Sequence, residues 1–456
     1  MTHTTDTQTI EQQLHSAIAR RDGAAANACL AELGPEDTAH AVSHLTDDDQ
    51  SQLLTLLPDQ TAADLLESVP EAQAAQMLEQ LDVAEAAELL NEVDSDDRAD
   101  LLGRLPEATV EAVLDRMEPA EAEDARRLLR YPADSAGGLM ITEYLAYPED
   151  NRVADVLADL RDNSEKYREY DVQYAYVVSN VGKLVGVLPL RNLLLAAPDE
   201  PIASLMIKDP LRVDVSTPLQ ELERFFDLHP LFGVPVVDSD GILVGVVRKQ
   251  DVEEAAEERS GRTMLKFTGI LGGEELRTMP LHLRSMRRLS WLSANIVLNI
   301  IAASIIAMYQ DTLQQVIALA VFLPIISDMS GCSGNQAVAV SMRELSLGLI
   351  RPREFFRVVR KELSVGIING IALGLLLGVI AFLWKGNPML GVVVAVALAV
   401  NTVIAACLGG SIPLLLRGLG QDPALASGPI LTTLTDMLGF LLVLSLASAA
   451  LPWLTG

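Results

Sequence analysis

The stretch GPILTTLTDMLGFLLVLSLASAALPW, residues 428–453, decides how the chain is read. Its last two thirds are apolar enough to sit in lipid, yet Asp436 stands among them. A carboxylate in hydrocarbon is expensive unless it is protonated, paired or facing water, so intramembrane acids mark ion or proton paths. The rest of the chain has to say what compensates that charge.

Four more apolar stretches precede this one, at about 289–308, 313–341, 364–384 and 388–415, making five with 428–451. Each is long enough to cross a hydrocarbon core of roughly 30 Å at about 1.5 Å per residue. Arg284, Arg287 and Arg288 precede the first, and Arg343, Arg351, Arg353, Arg357, Arg360 and Lys361 crowd the loop between the second and third. The alternate loops, YQDTLQQ and KGNP, carry little charge. The positive-inside rule therefore predicts a cytoplasmic N-terminus, an outside C-terminus and, with no basic-then-apolar signal in MTHTTDTQTIEQQL, a multi-pass protein of the inner (cytoplasmic) membrane.

The half before these spans is of opposite character. Residues 1–260 hold 53 Asp and Glu against 20 Lys and Arg, whereas residues 261–456 hold 9 against 14. So acidic a surface repels nucleic acid and attracts cations, which makes divalent metal the expected partner. Cys29, Cys332 and Cys407 are scattered and odd in number, so neither a disulfide framework nor a zinc knuckle is indicated. The sequence also lacks a Walker A loop, an HExxH and a paired nucleophile and base, and the expectation is a protein that is not an enzyme.

An apolar pair recurs every twelve residues from 30 to 117: Leu30/Leu33, Val42/Leu45, Leu54/Leu57, Leu66/Val69, Leu78/Leu81, Leu90/Val93, Leu102/Leu105 and Leu114/Met117. An i, i+3 pair lies on one helix face, and PEDT, TDDDQ, PDQT and DSDDRAD between the pairs supply caps and turns. The period predicts an all-α superhelical solenoid over residues 1–130, whose units bury their stripes only by stacking. Pro35, Pro58, Pro70 and Pro106 argue against one continuous helix. From about 131 to 260 the texture changes to YAYVVSNVGKLVGVLPLRNLL and then FGVPVVDSDGILVGVVRKQDVEEA, each a strand, a Gly turn, a second strand and a helix start.

The second span, VFLPIISDMSGCSGNQAVAVSMREL, is too polar for a passive lipid-facing helix. Pro324, Gly331 and Gly334 permit a helix break or a close backbone approach, while Asp328, Ser330, Ser333, Asn335 and Gln336 offer oxygens. Taken alone, such a segment serves either as a small-residue packing face or as a pore lining. Asp436 in the fifth span favours the pore.

The duplicated α/β unit resembles a tandem cystathionine-β-synthase-type (CBS) pair, and nearly the whole chain resembles the MgtE family of magnesium transport proteins. The likeness rests on the repeat, on YPADSAGGLMITEYLA leading into the CBS pair, on Pro324 with GCSGNQ, and on DPALASGPILTTLTDMLGF. It implies a multidomain protein: a helical N domain (1–130), tandem CBS domains (131–260), a connecting plug helix (261–288) and a five-helix membrane domain (289–456). It further implies a homodimer in the lipid bilayer, with an ion path lined by the second and fifth spans. Asp436 falls on the family's ion-reading carboxylate, with Asp328, Asn335, Gly331 and Gly334 beside the path. Two copies of Asp436 would balance one Mg²⁺, an ion that keeps several of its waters. The implied function is Mg²⁺ uptake gated by the cytoplasmic domain. A proton- or sodium-coupled cation exchanger and a non-transporting CBS sensor are the alternatives.

The chain departs from that family at several positions. Cys332 replaces an Asn and Asp328 a Gly, which bears on selectivity among Mg²⁺, Co²⁺, Ni²⁺ and Mn²⁺ because thiols favour softer metals. The family's regulatory Mg²⁺ ligands correspond to Asp251, Glu254, Glu257 and Glu258, but the acidic pair expected next is GRT, with Arg262. Where CBS pairs bind ATP or related nucleotides through Ser or Thr and Asp, this chain has Pro189 and Asn192, then Arg248 and Asp251, so the resemblance does not carry a nucleotide site over.

Overall fold

The computed structural model describes residues 3–168, 170, 173–270 and 281–455. It divides into two compact units, residues 1–259 and 260–456. Part of the connecting segment expected at 261–288 therefore lies outside the described residues.

The first unit opens with α1 His3–Ala19, α2 Gly23–Ala31, α3 Pro35–Ser43, α4 Asp47–Leu56, α5 Asp59–Ser68, α6 Glu71–Glu79, α7 Val83–Glu92, α8 Ser95–Arg104, α9 Glu107–Leu114 and α10 Pro119–Leu128. From α2 onward every helix starts twelve residues after the one before. Side-chain caps set some starts, with Asp22 and Thr46 accepting from the N–H of Ala25 at 3.1 Å and of Asp49 at 3.2 Å. Others begin after Pro58, Pro70 or Pro106, whose φ of −59°, −54° and −59° leads the chain into the helix where no donor is needed. The recurring pairs share one core: Val42 with Leu45, Leu66 with Val69, Leu90 with Val93 and Leu102 with Leu105 are all buried in it. Helices pack on the helix two along, α3 on α5, α4 on α6, α5 on α7, α6 on α8, α7 on α9 and α8 on α10. A pair on one face thus reaches both neighbours, which no single ten-residue helix could do for itself.

The α/β part follows with β1 Leu145–Pro148, α11 Val153–Asp162, β2 Tyr174–Val178, β3 Leu184–Pro189, α12 Leu190–Leu195, α13 Ile202–Leu205, β4 Ile207–Lys208, β5 Val213–Asp214, α14 Leu219–Leu228, β6 Gly233–Val237, β7 Leu243–Arg248 and α15 Lys249–Phe267. One sheet has the order β1-β2-β3-β4 and the other β5-β6-β7. In both, the first pair is parallel and the next antiparallel. The duplication extends to detail, since each central strand carries a register shift at its end, Val177/Val178 and Val236/Val237. Each hairpin turns at a glycine of positive φ, Gly182 at +80° and Gly241 at +79°. Segment 131–142 joins the second sheet, where Ile141 and Val246 exchange hydrogen bonds of 2.8 and 3.0 Å.

The second unit contains α16 Leu281–Met308, α17 Gln310–Gln315, α18 Leu319–Ser346, α19 Phe355–Lys385, α20 Pro388–Gly418, α21 Pro423–Ala449 and α22 Leu451–Thr455. Among the described residues four stretches are long and apolar enough to cross a membrane: Arg284–Met308, Pro352–Lys385, Pro388–Gly418 and Ser427–Ala449. The 28-residue α18, which carries the polar motif, is not among them. It runs unbroken through Pro324, Gly331 and Gly334, so the break that these residues permit does not occur. The close approach does: a Cβ on Gly409 of α20 would lie 2.1 Å from the Gly334 carbonyl oxygen of α18. Central α20 packs against α18, α19 and α21.

Candidate functional site

α21 carries Asp436 half-buried beside α18, where its carboxylate accepts a hydrogen bond from the Ser327 hydroxyl. Gly331, one turn on, is buried, and a Cβ there would lie 3.9 Å from Thr435 Oγ1. Gly334 faces Leu431 and the Ala405 carbonyl, its Cβ position 2.9 and 3.1 Å from them. Ser327, Gly331 and Gly334 are thus one face of α18, turned toward α20 and α21. Asp328, Cys332 and Gln336, at i, i+4 and i+8, form an exposed stripe beside it. Asn335 lies between the two faces, and its Oδ1 is buried with no hydrogen-bond partner among the described residues.

The structure therefore groups Asp436, Gly331 and Gly334 on the packed side and leaves Asp328 exposed. Ser327 was missed by the sequence reading, although its i, i+4 relation to Gly331 could have found it. Carboxylate, hydroxyl and amide oxygens are hard donors of the kind that hold Mg²⁺ through a partial water shell.

In the first unit, acids gather where α8 begins. Asp94 occupies the N-cap position without a side-chain capping bond and its N–H donates to Glu67 at 3.0 Å, while Asp96 and Asp97 occupy the first turn, where the helix dipole favours negative charge. Arg248, closing β7, enters this group from another part of the chain. Its Nε donates to Asp251 at 2.8 Å, Nη1 to Asp94 at 3.1 Å and Nη2 to Asp96 at 3.2 Å. Burial works against the Arg248 charge, but Asp96, Asp251 and Asp94 outweigh it and hold the guanidinium firmly charged. Burial likewise pushes the Asp96 carboxyl well up, reinforced by Asp97 and Asp251. Asp97 is pushed up to about 8, by burial first and then by Glu67 and Asp94. Glu67, exposed as a residue, rises to about 7, mainly through desolvation of its carboxylate.

The four acids expected to regulate do not converge. Asp251 is buried on Arg248, and Glu258, two turns further along α15, accepts from Arg104 of α8 at 3.1 Å. Glu254 and Glu257 are exposed, with Glu254 accepting from Gln250 at 3.0 Å. Among the described residues no group of three or more His, Cys, Asp or Glu forms a ready-made metal site.

Between the two sheets lies a cavity of about 240 Å³ lined by Tyr144, Tyr174, Tyr176, Phe232, Arg248 and Lys249, among others. Pro189 and Asn192 are not part of this wall. Aromatic rings beside a lysine suit a stacked base and a phosphate, and Tyr174, Phe232 and Lys249 were not marked by the sequence reading.

Comparison with known proteins gives the class first. Residues 323–446 match the family model described as a divalent cation transporter, 33–134 match the MgtE intracellular N domain, and 202–258 match the CBS domain. With four apolar helices of spanning length, this is a multi-pass membrane protein of the divalent cation transporter class. The magnesium transporter MgtE of Bacillus subtilis is 33% identical over 337 residues, 74% of each chain. That of Thermus thermophilus is 35% identical over 337 residues, 73% of this chain and 74% of the relative. The chain belongs to the MgtE family. The cytosolic domain of the Mg²⁺ channel MgtE in complex with ATP has a TM-score of 0.50 at 32% identity, covering 54% of this chain and 99% of that one. The soluble part of a magnesium transporter has a TM-score of 0.51 at 22% identity, covering 56% and 99%, and shares the fold.

Proposed function

We propose that this protein carries Mg²⁺ across the cytoplasmic membrane as a homodimer, under control of its cytoplasmic domain. The observation that carries the reading is Asp436, set in an apolar helix and hydrogen-bonded by Ser327 on the small-residue face of α18. Asp436, Asp328, Asn335, Gly331 and Gly334 border the path, and a second copy completes it against the exposed stripe of Asp328, Cys332 and Gln336. α18, the second span in chain order, completes the five, placed with the other four by the second copy and by the ion path rather than by its own hydropathy. The division is an α-helical solenoid (1–130), the CBS pair (131–260), a connecting helix (261–288) and the membrane domain (289–456), with the N-terminus in the cytoplasm.

The acids of α15, Asp251, Glu254, Glu257 and Glu258, together with those at the start of α8, respond to cytosolic Mg²⁺. Like charges brought together by packing are relieved by a cation, so the compact arrangement is favoured when Mg²⁺ is abundant. The cavity walled by Tyr174, Phe232 and Lys249 takes an adenine nucleotide as a modulator. The protein catalyses no reaction.

The reading is tested by Mg²⁺ flux into proteoliposomes with and without proton or sodium gradients. Flux that follows the Mg²⁺ gradient and membrane potential alone supports it. Flux that requires a counter-gradient replaces it with exchange, and no flux at all removes it.

A further inference from the structure

A buried amide in the middle of α20 stands out from the apolar helix around it. Asn401 is completely buried, and its Nδ2 donates to the Thr435 carbonyl of α21 at 3.1 Å. Thr435 immediately precedes Asp436. On the same side, a Cβ added to Gly439 of α21 would lie 2.7 Å from Asn401 Nδ2 and 3.7 Å from Ile326 of α18, the neighbour of Ser327. Asn401, Gly439 and Ile326 therefore form a three-helix node at the level of Asp436. Only a glycine on α21 leaves the amide this place.

The amide is not there for stability. Its Oδ1 is buried with no hydrogen-bond partner among the described residues, and a leucine of similar volume would carry no such penalty. Nor is the Thr435 carbonyl in need of a partner, since a carbonyl inside a regular helix already accepts from four residues on. What the bond does fix is the rotation of α21 about its axis. With side chains about 5–6 Å from the axis, a turn of about 10° carries the carboxylate about 1 Å, enough to spoil a site that needs its ligands held to about half an ångström.

We infer that Asn401 is a positioning residue for the ion-binding carboxylate: it clamps α21 at Thr435 so that Asp436 presents its carboxylate at one fixed rotation to the passing cation. The inference rests on the reading that Asp436 meets the ion. Ser327 holds the carboxylate itself, whereas Asn401 holds the backbone that carries it.

The test is the Mg²⁺ concentration dependence of flux in proteoliposomes, with the full-length protein and its variants Asn401→Leu, Gly439→Ala and Asp436→Asn, together with thermal stability in the same detergent. Asn401→Leu is expected to raise the half-saturating Mg²⁺ concentration about tenfold, the fold-change that one lost hydrogen bond corresponds to. Its thermal stability should be unchanged or higher. Gly439→Ala, which drives the amide off Thr435, should reproduce the same rise, and it decides the matter alone if Asn401→Leu does not assemble. Wild-type half-saturation in Asn401→Leu, or a loss of flux only in proportion to lost stability, overturns the inference. Wild-type flux in Asp436→Asn instead places the failure in the reading of the ion path.

Discussion

Replacing Arg248 by Met removes one guanidinium and leaves three carboxylates facing one another. The Arg248 side chain is 24% exposed, and of its partners Asp251 and Asp96 are 9% and 12% exposed whereas Asp94 is 37% exposed. The Asp94 contact sits at the rim and is worth little. Asp251 and Asp96 are desolvated, and removing the partner of such a buried pair costs about 3–5 kcal/mol. For a unit of this size each kcal/mol moves the melting temperature by about 2–4 °C, so a drop of about 10 °C is expected. The assay is thermal unfolding of a fragment comprising residues 1–259, at neutral pH in chelator, followed by circular dichroism. Because the variant has lost its internal cation, adding about 10 mM Mg²⁺, above the weakest affinities typical of oxygen-ligand sites, should raise its melting temperature more than that of the wild type. A drop of less than about 2 °C would show that the network contributes nothing net, and the reasoning from burial would be wrong.

Three further outcomes follow from the same geometry. Asp97 keeps its proton to about 8 when folded, whereas an unfolded aspartate loses it near 3.8. Between those values the folded state binds more protons, so stability is fully present below about pH 4 and falls as pH rises through 8. Chemical denaturation of the 1–259 fragment in chelator should show it more stable at pH 5 than at pH 8.5 by a few kcal/mol, with Asp97→Asn flattening the slope. Ser327→Ala, which strips Asp436 of its hydrogen-bond donor, should lower Mg²⁺ uptake by about tenfold while leaving membrane insertion intact, as checked by uptake in cells matched for expression. Calorimetric titration with ATP should give a binding curve that Tyr174→Ala and Lys249→Ala each weaken at least several-fold, and no heat of binding in the wild type would remove the cavity from regulation.

The twelve-residue period made the helical start of the chain legible because one short helix with one buried pair is a local event. Its phase is visible in the structure, where successive helices begin at Gly23, Pro35, Asp47, Asp59 and onward. The duplicated strands were legible for the same reason, down to the turns at Gly182 and Gly241. Asp436 could be singled out because a lone acid in an apolar stretch has no bland use. Ser327 had only its i, i+4 relation to Gly331 to mark it, and Asn401 had nothing, since serine and asparagine occur in packed helices without special roles. Their roles depend on what lies opposite on α21, the Asp436 carboxylate for Ser327 and the Thr435 carbonyl for Asn401. Pro324, Gly331 and Gly334 permitted either a break in α18 or a close backbone approach, and only the packing against Gly409 decides for the approach, with the helix intact. The Arg248 network joins residues 154 apart in sequence, Asp94 and Arg248, and no local pattern announces it.

The central claim is that Asp436 meets the permeating ion, and it is tested most directly by Mg²⁺ flux through Asp436→Asn in proteoliposomes, with insertion and oligomeric state matched to the wild type. The change keeps the side chain's size while removing its charge and one of its two acceptor oxygens. Loss of flux to the level of empty vesicles is expected. Flux at the wild-type rate would contradict the claim and take Asp436 out of the ion path.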